Sequence, residues 1–169
     1  MKKAWFEINP SLLEDTRSEI QSAYPNLHLY VENRTVLVRG SFPVLFEGKV
    51  LDRYSVEIEF PHDYPESIPI VREVEGRIPR TLDFHMVTPD GICCLFLPDE
   101  RWDVYPKGSR FLDFLNGPVR NFFLGQTMVH LGHIWPFGEH RHGINGIREY
   151  YDGLLGTTDF SAILIIFFT

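Results

Sequence analysis

The chain has 169 residues, 44% of them hydrophobic, and a formal charge of −7 at pH 7. That length suits one domain covering residues 1–169, long enough to bury a core without staples. The acidic balance excludes a general nucleic-acid binder, which needs a basic face, and a protein held electrostatically on an anionic membrane.

Met1-Lys2-Lys3 runs into Ala4-Trp5-Phe6-Glu7 with no apolar stretch behind the lysines, so no secretory signal is expected. Asn9-Pro10 reads as a helix start: a side-chain acceptor at the cap, then proline where its missing N–H is harmless. Leu12, Thr16, Ile20 and Tyr24 recur at i+4, which predicts one amphipathic helix stopped at Pro25. Leu27, Leu29 and Val31 then alternate with polar residues, and Glu32-Asn33-Arg34 turns the chain into Val36-Leu37-Val38. Gly40 and Pro43 predict an irregular or bulged strand there. Residues 54–60, Tyr-Ser-Val-Glu-Ile-Glu-Phe, alternate strictly between an apolar and an acidic face. Pro61, Pro65 and Pro69 mark a rigid crossing before a fourth strand around Ile70 and Val71.

The two cysteines, Cys93 and Cys94, are adjacent in the short apolar segment 92–97, between the turn Pro89-Asp90-Gly91 and Pro98-Asp99. A disulfide between neighbours is strained, and this cysteine usage suits a reducing cytoplasm. Adjacent residues of an extended segment face opposite ways, so one thiol in and one out is the physical expectation. Ser109 is a plausible cap for a helix carrying Phe111, Leu112, Phe114 and Leu115, and Gly117-Pro118 breaks or restarts it before Val119, Phe122, Phe123 and Leu124. Residues 126–143 read as loop, Ile147, Tyr150, Tyr151 and Leu154 as a last short helix with the two tyrosines at its core and rim, and the apolar tail 160–168 as a final covering element about half the length that spans a bilayer. One leading helix, four strands, the cysteine segment and several helices make a single α+β domain.

Two stretches carry a family resemblance. The alternating strand running into Phe60-Pro61, Tyr64-Pro65 and Pro69 resembles the third-strand signature of ubiquitin-conjugating enzymes. Gly91-Ile92-Cys93-Cys94-Leu95 resembles the same family's active site, usually Gly-x-(Ile/Leu/Val)-Cys-Leu with a tryptophan eight residues after the cysteine, and Trp102 lies eight after Cys94. The resemblance spans about residues 5 to 125. It implies a ubiquitin-conjugating-enzyme-like fold: an N-terminal helix, a four-stranded antiparallel meander, the active-site cysteine segment and C-terminal helices. It also selects Cys94 as nucleophile and puts Cys93 where the family has a buried aliphatic residue. One departure is the family's His-Pro-Asn, about ten residues before the cysteine. This chain has His85-Met86-Val87, so another donor, a backbone N–H or an imidazole, must hold the oxyanion. That departure, the stretch Trp135-Pro136-Phe137-Gly138-Glu139-His140-Arg141-His142-Gly143 in place of the family's usual Pro-Asn-containing connection, and the small size resemble the stand-alone bacterial conjugating-enzyme-like proteins of CBASS antiphage operons, which act on the C-terminus of a cGAS-like nucleotidyltransferase. A conjugating enzyme from another bacterial ubiquitin-like operon is the neighbouring alternative.

What this implies is a cytoplasmic, cofactor-free transferase. Cys94 takes the C-terminus of a partner protein as a thioester and passes it to an amine on a protein or small molecule. His85 is the candidate neighbour that helps the thiol ionise, or else a structural histidine tying the loop. Asp99 and Asp103 either orient the incoming amine or are solvated turn residues. His140 or His142 either closes over the thiol or has a plain loop role. Leu95, with Phe96 and Leu97, faces Trp102 and Tyr105 across a groove for the donor's tail. His130-x-x-His133 and His140-x-His142 with Glu139 match no helical zinc spacing, so no metal is expected. The competing classes are an inactive binding module on the same fold and, last, a cysteine hydrolase using His85 or His142, which lacks a third orienting residue.

Overall fold

The computed structural model describes residues 2–87, 89–137, 149–151 and 153–154. A short helix α1 (Trp5–Ile8) leads into α2 (Pro10–Ala23). Asn9 Oδ1 accepts the Leu12 N–H at 3.3 Å, and Pro10 occupies the first helical position. Thr16 and Ile20 face the interior, and Pro25 forces Tyr24 out of helical geometry.

Four strands follow as an antiparallel meander: β1 (Leu27–Glu32), β2 (Thr35–Phe46), β3 (Lys49–Glu59) and β4 (Ile70–Glu73). Both long hairpins turn on two left-handed residues, Asn33-Arg34 and Glu47-Gly48. Such turns match the twist of the strands they join. The pairing puts Leu29, Val38, Ile58 and Val71 in one row, and all four are buried. On the opposite face Arg39, Glu57 and Arg72 form the neighbouring row. Arg39 bonds Glu57 at 2.7 Å and Glu32 at 2.8 Å, and Arg72 bonds Glu59 at 2.8 Å. The strict alternation read from residues 54–60 is therefore a division between core and charged surface. The register of β2 against β3 shifts between Val44 and Leu45, where Leu51 of β3 is the extra residue, and not at Gly40 or Pro43.

The sheet has six strands rather than the expected four. β5 (Met86–Val87) and β6 (Ile92–Cys93) extend it in the order β1-β2-β3-β4-β6-β5. Two residues are too few to show a period of two, so neither strand has a sequence pattern to detect.

A single-turn helix α3 (Arg101–Val104) follows the cysteine segment. Then α4 (Phe111–Phe114), a wide π turn (Leu115–Val119) and α5 (Arg120–His130) run on as one helix across the apolar face of the sheet. Phe111 meets Phe60 at 4.6 Å between ring centres, and Phe123 lies 4.7 Å from Tyr54 and 5.6 Å from Phe42. Three expectations are corrected here. Arg110, not Ser109, occupies the cap position, and the Asp113 carboxylate accepts its N–H at 3.0 Å. Gly117-Pro118 does not break the helix, because widening it to a π turn accommodates the proline ring and its missing N–H. Residues 126–130 are helix rather than loop, carried by the buried face of Phe122, Phe123, Gln126 and Thr127.

Tyr64, on the proline-rich crossing, is 3% exposed and packs edge-on against Trp5 at 5.1 Å and Phe60 at 4.9 Å. Glu149–Tyr151, Gly153 and Leu154 are helical, as expected for the last helix. The tail 160–168 lies outside the described residues. Among the described residues no helix is long and apolar enough to cross a membrane.

Candidate active site

The site is built where β4, β6 and the turn before β5 converge. Gly91 has φ +69°, and a Cβ there would fall 2.7 Å from the backbone oxygen of Glu73. Its own carbonyl accepts the Glu73 N–H at 3.0 Å. Glycine is required both by the left-handed backbone and by the close approach of β4. From there Ile92 pairs with Arg72 and with Val87, and Cys93 pairs with Met86.

Alternation along this segment separates the two thiols. Cys93 is 6% exposed within the core, whereas Cys94, one residue past the strand, is half-buried. Burial pushes the Cys93 thiol far above its ordinary value. The Cys94 thiol is also pushed up, first by burial and then by the negative charge of Glu100. Both are therefore neutral near pH 7 in the resting protein. Cys94 Sγ lies 3.8 Å from the Phe96 carbonyl oxygen, a weak S–H contact.

His85 is tied to Cys94 through the backbone. The Cys94 N–H donates to the His85 carbonyl at 2.8 Å, and the His85 N–H donates to Leu82 at 2.8 Å. His85 itself is left-handed, with φ 52° and ψ 37°, at the end of the tight turn Leu82–Phe84. Its imidazole lies 4.5 Å from the ring of Trp135. Gln126 on α5 donates through Nε2 to the Phe84 carbonyl at 2.7 Å, fastening the same turn from the helix side.

The acidic residues after the cysteine are not bare. Asp99 Oδ1 accepts the Tyr151 hydroxyl at 3.2 Å, and Asp103 Oδ2 accepts the Tyr150 hydroxyl at 2.5 Å. The Asp103 bond leads the effects that push the Tyr150 phenol up to about 12. The two tyrosines thus spend their hydroxyls on the site's carboxylates, a role the simpler core-and-rim expectation leaves out. Glu100 caps the turn Pro98–Glu100 by accepting the Leu97 N–H at 3.1 Å.

Of the expected groove, Leu95 is half-buried against the core and Trp102 is half-buried between two cations, Arg101 at 5.4 Å and Lys107 at 4.9 Å. Tyr105 is 4% exposed and lies 5.2 Å from Phe114, and its hydroxyl donates to the Ser109 carbonyl at 3.0 Å. It is a core side chain, so Tyr105 offers no wall to a ligand. His142, with Glu139 and His140, lies outside the described residues. Among the described residues no group of three or more His, Cys, Asp or Glu side chains is arranged to hold a metal ion.

Sequence reasoning missed Gly125, Gln126 and Trp135. The available signal was a glycine and a glutamine inside the otherwise aromatic face that begins at Phe122. No family model, curated protein or solved structure matches the chain.

Proposed function

We propose that the chain is a cysteine-dependent acyl carrier of the ubiquitin-conjugating type. In this reading Cys94 takes the C-terminus of a partner protein, a cGAS-like nucleotidyltransferase of a bacterial antiphage operon. The observation that carries it is the split between the cysteines. Cys94, spaced correctly from Gly91 and Trp102, is the partly exposed thiol, while Cys93 is sealed in the core.

The Cys94 thiolate attacks the acyl carbon of an activated C-terminus, forming C–S as the activating group leaves with its bonding electrons. An amine then attacks the same carbon, C–N forms, C–S breaks, and the sulfur departs as thiolate while the amine's proton goes to a base. A raised thiol pKa suits a carrier, because it disfavours reaction with stray electrophiles until a docked donor changes the surroundings. The Cys94 N–H is already committed to the His85 carbonyl, so the oxyanion needs a different donor, another backbone N–H or an imidazole. Asp99 or Asp103 acts on the amine once its tyrosine partner has been exchanged.

The test is a non-reducing gel of the chain with activated partner. Wild type and Cys93→Ala give a thiol-sensitive adduct, Cys94→Ala gives none, and Cys94→Ser traps a thiol-resistant ester. Adduct that survives in Cys94→Ala but vanishes in Cys93→Ala reverses the assignment. No adduct from any variant leaves an inactive binding module.

A further inference from the structure

The turn that presents His85 to Cys94 is braced by residues to which the reaction above gives no part. His85 is a non-glycine residue in the left-handed region, a conformation that persists only where the surroundings hold it. Its ring is tilted 39° against Trp135 at 4.5 Å between centres. Trp135 in turn meets Phe122 edge-on at 6.2 Å, which ties it to the buried row of α5. The indole can lie this close to the helix because residue 125 is glycine. A Cβ at Gly125 would sit 2.4 and 2.5 Å from two carbons of the Trp135 ring. A glycine inside a helix weakens it relative to alanine, and here the notch it leaves is filled by the indole.

We propose that Trp135 is a positioning residue for Cys94: seated on Gly125, its indole holds the His85 turn in the conformation whose carbonyl takes the Cys94 N–H. The chain of contacts is continuous, from Gly125 to indole, indole to imidazole, and His85 carbonyl to Cys94 N–H at 2.8 Å. Trp135 acts through His85 and touches no reacting atom. The proposal rests on the reading of Cys94 as the nucleophile.

The test uses the full chain and needs no partner. Alkylation by iodoacetamide is resolved by site with mass spectrometry, beside amide hydrogen exchange at Cys94. In Trp135→Ala both are expected to quicken at Cys94, the exchange on the order of tenfold, as the turn opens locally. Cys93 stays unlabelled because the core is intact. Trp135→Phe keeps an aromatic face and restores near-native rates. Gly125→Ala displaces the indole and reproduces Trp135→Ala at Cys94, although alanine by itself is the better helix former. Gly125→Ala/Trp135→Ala matches Trp135→Ala alone, since the two act through one contact. Unchanged exchange and labelling at Cys94 in both single variants overturns the proposal, as does simultaneous labelling of Cys93, which reports general loosening. Failure to form a partner adduct bears on the conjugating reading alone, because alkylation and exchange are measured without it.

Discussion

Replacing Gly91 with alanine separates two reasons for a glycine, and Gly108 supplies the control. Both have positive φ, +69° and +84°, but a Cβ at Gly108 meets nothing within 4 Å, whereas one at Gly91 meets the Glu73 carbonyl at 2.7 Å. Gly108→Ala therefore carries only the left-handed backbone penalty, about 1 kcal/mol. Gly91→Ala carries the same penalty plus an overpacking term of roughly 1–3 kcal/mol, because the opposing atom is backbone. Glu73 cannot retreat easily, since its N–H is bonded to Gly91 and Arg72 beside it pairs with Ile92. Urea unfolding followed by circular dichroism reads both. With a slope of about 2 kcal/mol/M, the midpoint falls by about 0.5 M for Gly108→Ala and by about 1–2 M for Gly91→Ala. Equal falls would show that β4 yields to the new methyl group, and the close approach would then not be what requires glycine at 91.

Glu100→Gln keeps an oxygen for the Leu97 N–H and removes the charge, so the Cys94 thiol should titrate lower while burial still holds it up. The pH profile of alkylation shifts down, with a rate at pH 8 faster on the order of twofold, and an unmoved profile refutes the role of Glu100. Raised thiols also make the fold sensitive to alkali. Below the ordinary thiol value of 9.0 both folded and unfolded chains keep their protons and stability is full. Above it the unfolded chain releases protons that the folded one retains, so stability falls as pH rises toward the folded values. Thermal midpoints measured from pH 7 to 10.5 should fall above 9, and fall less in Cys93→Ala. Tyr64→Ala removes a buried ring and should cost about 3–5 kcal/mol, a fall in melting temperature on the order of 10 °C. Alkylation of Cys94 at 20 °C should be unchanged by it, and a fall of only a degree or two would contradict the packing against Trp5 and Phe60.

What the sequence revealed and what it hid divide by range of interaction. The start of α2 was legible because Asn9 and Pro10 act on their own neighbours, and the second half of β3 because residues 54–60 are enough to express a period of two. The division between Cys93 and Cys94 came from that same period. The two short strands were not legible, since Met86–Val87 and Ile92–Cys93 become strands only through partners brought from elsewhere. Ser109 looked like a cap by residue type, while the bond that forms is between the Arg110 N–H and the Asp113 carboxylate. Gly125 could not be understood at all without Trp135, ten residues on, because the reason for the glycine is the ring that lies over it.

The wide turn inside the long helix has a consequence for phase. Each α-helical residue advances about 100°, so the eight steps from Phe114 to Phe122 would leave the second ring about 80° off the face of the first. Both are nonetheless buried, and the π turn at Leu115–Val119 unwinds the helix by about one residue. That turn is the signature of an inserted residue absorbed without rotating the helical turns beyond it. Deleting Pro118 would remove the inserted residue and the ring that resists α geometry together, leaving Phe114 and Phe122 seven steps apart and still aligned. The same single deletion between Phe123 and Gln126 would swing the glutamine about 100° away from the Phe84 carbonyl. The helix can thus lose a residue at its widest point and keep the site, yet cannot lose one less than two turns later.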